Sequence, residues 1–160
     1  MPSGVHFIAA LRKLLHAAGT QLAQLASFST LLEENLGPVD TIHAIATTRD
    51  GRTGTIVMSF GTEFKSGLEV EVVTTQGAVH WTPDRVRVTK KGASGSKEEE
   101  TKDFAYDAGV NAEVKAFASS VEAGRVDPLQ TPQQALQDLE VLQRILESGS
   151  SQGAVKALEA

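Results

Sequence analysis

His43, Glu69 and Glu71 are the residues of this 160-residue chain best suited to moving a proton. An imidazole beside a carboxylate is an acid/base pair, because the negative charge raises the basicity of the ring. Their neighbours decide whether they share a surface. Across residues 40–48, Ile42, Ala44 and Ala46 alternate with Thr41, His43, Ile45 and Thr47. Across residues 68–74, Leu68, Val70 and Val72 alternate with Glu69, Glu71 and Val73. Both patterns are those of half-buried strands, and both put the ionisable residues on the side away from the bulky apolar ones. On this reading His43 works with Glu71. The competing reading is that the same side chains line a dimer interface or face water. A three-ligand metal site would need a strand order that the sequence does not supply.

The expected substrate-binding set surrounds that pair. Thr41, Val57 and Ser59 share its side of the strands, with Glu69, Trp81 and Phe64 added from later segments. Trp81 ends a strand, where a half-exposed indole can stack on a ligand. Phe64 and Tyr106 could wall the same pocket, whereas Phe60 suits the helix-facing core. Glu63 lies in the glycine-bounded stretch 61–67, at a pocket rim or simply in solvent.

These side chains need elements to hold them. Residues 5–17 have helical spacing, with Val5, Ile8, Leu11 and Leu15 on one face and Arg12 and Lys13 elsewhere. Ser3 is a candidate cap for that helix. Residues 25–32 read as a strand, punctuated by Gly37-Pro38. Arg49-Asp50-Gly51-Arg52 joins two strands, since Asp-Gly supplies the positive φ that tight hairpins require. Short strands follow at 78–81 and 85–89. Residues 90–102, rich in Gly, Ser, Lys and Glu with no apolar side, read as a mobile loop. A helix over 110–123 carries Val110, Val114, Phe117 and Val121 and stops at Gly124. Thr131-Pro132-Gln133-Gln134 starts another helix with a cap, an N1 proline and a capping-box glutamine. Its body, to about Ser148, turns Leu136, Leu139, Leu142 and Ile145 or Leu146 inward. Residues 154–158 dock as an edge strand. The order predicts an α+β fold, an open and mostly antiparallel sheet with helices packed on one face. One domain is expected over residues 1–160.

Composition excludes several chemistries. There is no cysteine, hence no disulfide, thiolate catalysis or cysteine-based zinc site. A net charge of -5 argues against a nucleic-acid partner. No apolar run approaches the roughly 20 residues that span a bilayer, so no membrane partner and a cytoplasmic location are expected. No serine stands in a nucleophile elbow. No Gly-x-Gly-x-x-Gly follows a strand, so no dinucleotide cofactor is expected on this chain.

Gly4-Val5-His6-Phe7-Ile8-Ala9-Ala10-Leu11-Arg12 resembles the helix that opens the C-terminal domain of the Gfo/Idh/MocA oxidoreductases, particularly their fungal branch. The resemblance extends through Pro38-Val39-Asp40-Thr41, Gly54-Thr55-Ile56-Val57-Met58-Ser59-Phe60-Gly61 and Thr75-Gln76-Gly77-Ala78-Val79. It ends with Glu122-Ala123-Gly124-Arg125-Val126-Asp127-Pro128 and Thr131-Pro132-Gln133-Gln134. It implies a substrate-facing and oligomer-forming domain that stands without its dinucleotide-binding partner. In the family the catalytic lysine lies on that other domain; only the histidine, His6 here, carries over. The resemblance therefore implies a cofactor-free, redox-neutral enzyme acting on a small organic molecule in secondary metabolism. Such an enzyme would be a cyclase, an isomerase or a pericyclase of the Diels–Alder type. The alternatives are a homodimer built through the sheet face, another non-catalytic assembly module, or part of an NAD(P)-dependent oxidoreductase.

Overall fold

A computed structural model describes residues 4–106 and 108–159. Ser3, the expected cap of the first helix, lies outside the described residues. The fold is α+β with antiparallel strands, and its strands form two four-stranded sheets. Two compact units result: one ends at Phe64 and resumes at Pro128, and the other runs from Lys65 to Asp127.

The first unit contains α1 (Gly4–Ala17), β1 (Leu22–Thr30), β2 (Thr41–Thr48), β3 (Thr53–Ser59) and, from the chain's end, an α-helix (Pro132–Ser150) and a short strand (Lys156–Ala157). Strand alternation directs Leu25, Ile42, Ala44, Ala46 and Met58 to one face of the sheet. There they close over Ile8, Val141 and Ile145 from the two helices. Burying these apolar surfaces is the main force holding the unit together. Phe60 lies on the helix side, its ring stacked 6.4 Å from Phe7, but it is 39% exposed and is not part of the core expected for it. The β2–β3 turn uses Gly51 at φ 81°. Asp50 does not supply a second positive φ there; its carboxylate accepts from the Thr48 and Thr20 hydroxyls.

The second unit contains β4 (Val70–Val73), β5 (Gly77–Thr82), β6 (Arg85–Lys91), β7 (Lys97–Asp103) and α2 (Val110–Ala123), so the C-terminal helix and strand are α3 and β8. The order is β4-β5-β6-β7 here and β3-β2-β1-β8 in the first sheet. Val70 and Val72 therefore belong to a different ladder from Met58, and they pair with Trp81 and Val79.

Three sequence expectations are corrected. Residues 90–102 are the ends of a hairpin, not a mobile loop: β7 pairs along β6 from Arg85↔Asp103 to Lys91↔Lys97. An edge strand needs no apolar side when both faces meet water, and its charges protect the open edge. The α3 inward face is also rotated. Asp138, Val141, Ile145 and Ser148 are buried, whereas Leu136 and Leu139 are exposed. The polar pair turns inward because each member has a partner. Asp138 receives the Arg12 guanidinium, which also donates to Gln137 and, at 3.1 Å, to both the carbonyl and the side chain of Gln134. Ser148 Oγ accepts the Ser27 backbone N–H at 2.8 Å. Arg12 is thus part of the α1–α3 contact, one turn after Ile8. Finally, the Gln134 N–H caps on Thr131 at 3.2 Å, but the glutamine side chain goes to Arg12 and does not close a capping box.

No helix among the described residues is long and apolar enough to cross a membrane.

Candidate functional site

β1, β2 and β3 contain no Asp, Glu, Lys or Arg. With one face sealed by α1 and α3, the other is an uncharged surface of hydroxyl, methyl and aromatic groups. His43 sits on it. Its cross-strand neighbours are Phe28 on β1 and Val57 on β3, and the adjacent row is Ala26, Ile45 and Thr55. Phe28, Ile45 and Val57 are 66%, 62% and 61% exposed, which makes this an open apolar surface around one imidazole. On the other side of His43 the Thr41 and Ser59 hydroxyls lie 2.7 Å apart. Thr41 is buried and Ser59 half-buried.

The start of β2 is pinned by Asp40, immediately before Thr41. Its carboxylate accepts the backbone N–H groups of Leu32 (3.1 and 3.0 Å, one to each oxygen) and Glu33 (2.8 Å). Its backbone also bridges Thr30 and Phe60. Burial pushes this carboxyl upward. The Glu33 and Leu32 N–H groups, with Thr41, outweigh burial and hold it below the ordinary aspartate value. Asp50 is lowered by the Thr48 and Thr20 hydroxyls against a burial contribution, with help from Arg52. Each folded-state value is depressed. The resulting stabilisation is therefore complete above the unfolded value, near pH 4, and is lost as pH falls through the folded values. The melting temperature should accordingly drop below about pH 4, and Asp40→Asn should flatten that drop. A series of thermal melts between about pH 2.5 and 6 checks this, and equal slopes for both proteins would refute it.

The remaining candidates lie elsewhere. Glu69 and Glu71 belong to the second unit, so the common sheet face expected for them and His43 is not formed. Glu71 is directly opposite His80 on β5. His80 Nε2 also lies 3.6 Å from Glu69, making His80 the histidine that meets carboxylates. Nothing in sequence spacing marks His80, because its partnership depends on the β4–β5 register. Trp81 is half-buried between Val70 and Val86. Phe64 is 96% exposed, and Tyr106 and His6 are exposed as well. Sequence reasoning placed Asp40 only within the Pro38-Val39-Asp40-Thr41 stretch and gave its carboxylate no role.

No group of three His, Cys, Asp or Glu among the described residues could hold a metal ion. The fit to a dinucleotide is also poor. A pyrophosphate is held where a strand turns through glycines into a helix N-terminus. Here every ladder is antiparallel. Gly92 and Gly95 turn one strand into another. What the open face of the first sheet presents is apolar surface from Phe28 and Val57 beside the hydrogen-bonding ring of His43.

Residues 1–157 match the family model described as "Oxidoreductase family, C-terminal alpha/beta domain". The chain is 44% identical over 159 residues to a protein of Fusarium mangiferae named Dehydrogenase FPY6, covering 99% of this chain and 46% of that protein. A solved oxidoreductase from Thermotoga maritima superimposes with a TM-score of 0.78 at 22% identity, over 98% of this chain and 43% of its own. An NAD binding oxidoreductase from Klebsiella pneumoniae does so with a TM-score of 0.81 at 15% identity, over 98% and 50%. The chain thus spans about half the length of the relatives it matches.

Proposed function

This chain belongs to the oxidoreductase family as its C-terminal alpha/beta domain, and from that we propose that it is the substrate-facing half of an NAD(P)-dependent dehydrogenase. The uncharged sheet face that carries His43 is the working surface. The observation that carries the reading is that face itself, a lone imidazole framed by Phe28, Val57 and the Thr41–Ser59 hydroxyl pair. The Fusarium relative, matched over nearly the whole chain, is named a dehydrogenase. The cofactor belongs on a different domain, since the antiparallel ladders offer no cradle for it.

On this surface the chain's own residues bind and orient. Phe28 and Val57 take up the apolar part of a small substrate and exclude water. The ring of His43 hydrogen-bonds an alcohol or carbonyl oxygen and exchanges its proton. The test is an assay of the 160-residue chain and of the same chain with a dinucleotide-binding domain fused ahead of it, against a panel of alcohols and carbonyl compounds with NAD(P). Turnover is expected only from the fusion, with His43→Ala lowering kcat/KM by about 10²-fold. Cofactor-free conversion of a cyclisable polyene by the chain alone would instead favour the redox-neutral cyclase or isomerase reading, Diels–Alder chemistry included.

A second reading concerns assembly. Three large apolar side chains more than 60% exposed on one uncharged face suit a homodimer seam. Light scattering distinguishes the two readings. A dimer dispersed by Ile45→Lys, with unchanged activity in fused His43→Ala, would make this the assembly surface.

A further inference from the structure

We propose that the tips of the second sheet form a binding site for a phosphate-class oxyanion. The site lies where the β4–β5 turn meets the β6–β7 hairpin. Between Arg85 and Lys97 the sequence carries Arg85, Arg87, Lys90, Lys91 and Lys97 and no carboxylate, although the whole chain has a net charge of -5. The fold sets two of these cations, Lys91 and Lys97, on one face of the hairpin. Lys90, Lys91 and Lys97 line a cleft of about 250 Å³, together with Thr75, Thr89 and Ser96.

The register makes the charge arrangement specific. Lys91 and Lys97 are directly opposite each other. Like charges in that position repel and destabilise the pairing. The rest of the β6–β7 ladder sets a cation or a neutral side chain against an acid, as in Arg85↔Asp103 and Lys90↔Glu98, or pairs neutral and basic residues. Among the ion pairs of the described residues, Arg85–Asp103 lies on this hairpin, and none involves Lys90, Lys91 or Lys97. The Glu98 carboxylate lies against Gly92: a Cβ placed there would be 2.1 Å from its Oε1. Lys91 and Lys97 share one face of the ladder, while Lys90 points to the other face beside Glu98. Glu99, two residues from Lys97 on the shared face, forms no ion pair with either lysine among the described residues. One anion of high charge density would satisfy the opposed pair. Thr75, Thr89 and Ser96 are the hydroxyl residues of the lining, and the Ser96 hydroxyl is shared with Ser94 at 2.9 Å. The cleft exceeds the volume of one phosphate, so either free phosphate or the phosphate group of a small ester fits the chemistry.

The experiment titrates the full 160-residue chain with inorganic phosphate, and separately with glycerol phosphate, at ionic strength near about 0.02 M, following backbone amide shifts. Low salt keeps exposed-charge attraction from being screened. Saturable shifts confined to residues 75–77 and 89–97 are expected. Lys91→Gln/Lys97→Gln should weaken binding about tenfold or more at that ionic strength, while the surface control Lys13→Gln leaves it unchanged. Tighter binding of the ester than of the ion would identify a phosphorylated metabolite as the ligand, and equal binding would identify free phosphate. Absence of saturable shifts, or identical titrations for wild type and the double variant when both show the same folded spectrum, would overturn the site.

Discussion

Gly61→Ala is expected to destabilise the first unit by about 3 kcal/mol, the upper range for an over-packed interior site. Gly61 follows β3 by two residues, and the reason it must lack a side chain is steric. A Cβ at this position would sit 2.1 Å from Asp40 Oδ2, 2.7 Å from its Cγ and 3.0 Å from Leu32 Cβ. The carboxylate cannot swing aside freely, because it holds the Leu32 and Glu33 N–H groups and is itself buried. Moving it would leave a buried charge and two backbone donors without partners, which is the costly way to lose a hydrogen bond. Urea denaturation of Gly61→Ala measures the loss. The Asp40→Ala background supplies the control: if the clash is with the carboxylate, adding Gly61→Ala there should cost far less. Additive losses would assign the effect to something other than Asp40.

Ile145→Ala should cost about 3–5 kcal/mol, as expected when a large side chain is deleted from a packed core. Ile145 is fully buried among Ile8, Leu25, Ile42 and Val141, and its carbonyl accepts the Ser27 hydroxyl. The informative comparison is Leu139→Ala on the same helix. Leu139 is 55% exposed, so its truncation should change stability by less than about 0.5 kcal/mol. Apolar periodicity alone would have made both residues core. Similar losses for the two variants, measured by chemical denaturation, would contradict the observed rotation of α3.

That rotation shows the limit of reading periodicity. The α3 helix offers two overlapping faces, one all-leucine and one that includes Asp138 and Ser148. Hydrophobicity favours the first. The fold adopts the second, because Arg12 neutralises Asp138 and Ser148 takes the Ser27 N–H left at the edge of β1 beyond its short pairing with β8. Both partners are more than 110 residues away in sequence.

What was local in the sequence was determined there. Alternation fixed which side of β2 carries His43. Gly51 marked the β2–β3 turn, Thr131-Pro132 the start of α3, and the absence of Asp, Glu, Lys and Arg within the strands β1, β2 and β3 themselves the character of the open face. The family was legible because those pieces occur in one order and spacing. What depended on pairing between distant segments was decided only by the tertiary structure. Alternation shows that Glu71 points away from Val70 and Val72, but not which strand lies beside it; the register made its neighbour His80 rather than His43. The same holds for β7, whose charged residues become a strand only with β6 alongside, and for Lys91 and Lys97, which face each other across that ladder. Side-chain direction along a strand follows from local backbone geometry, whereas the identity of the neighbour is set by contacts that close long loops, and no local pattern encodes those.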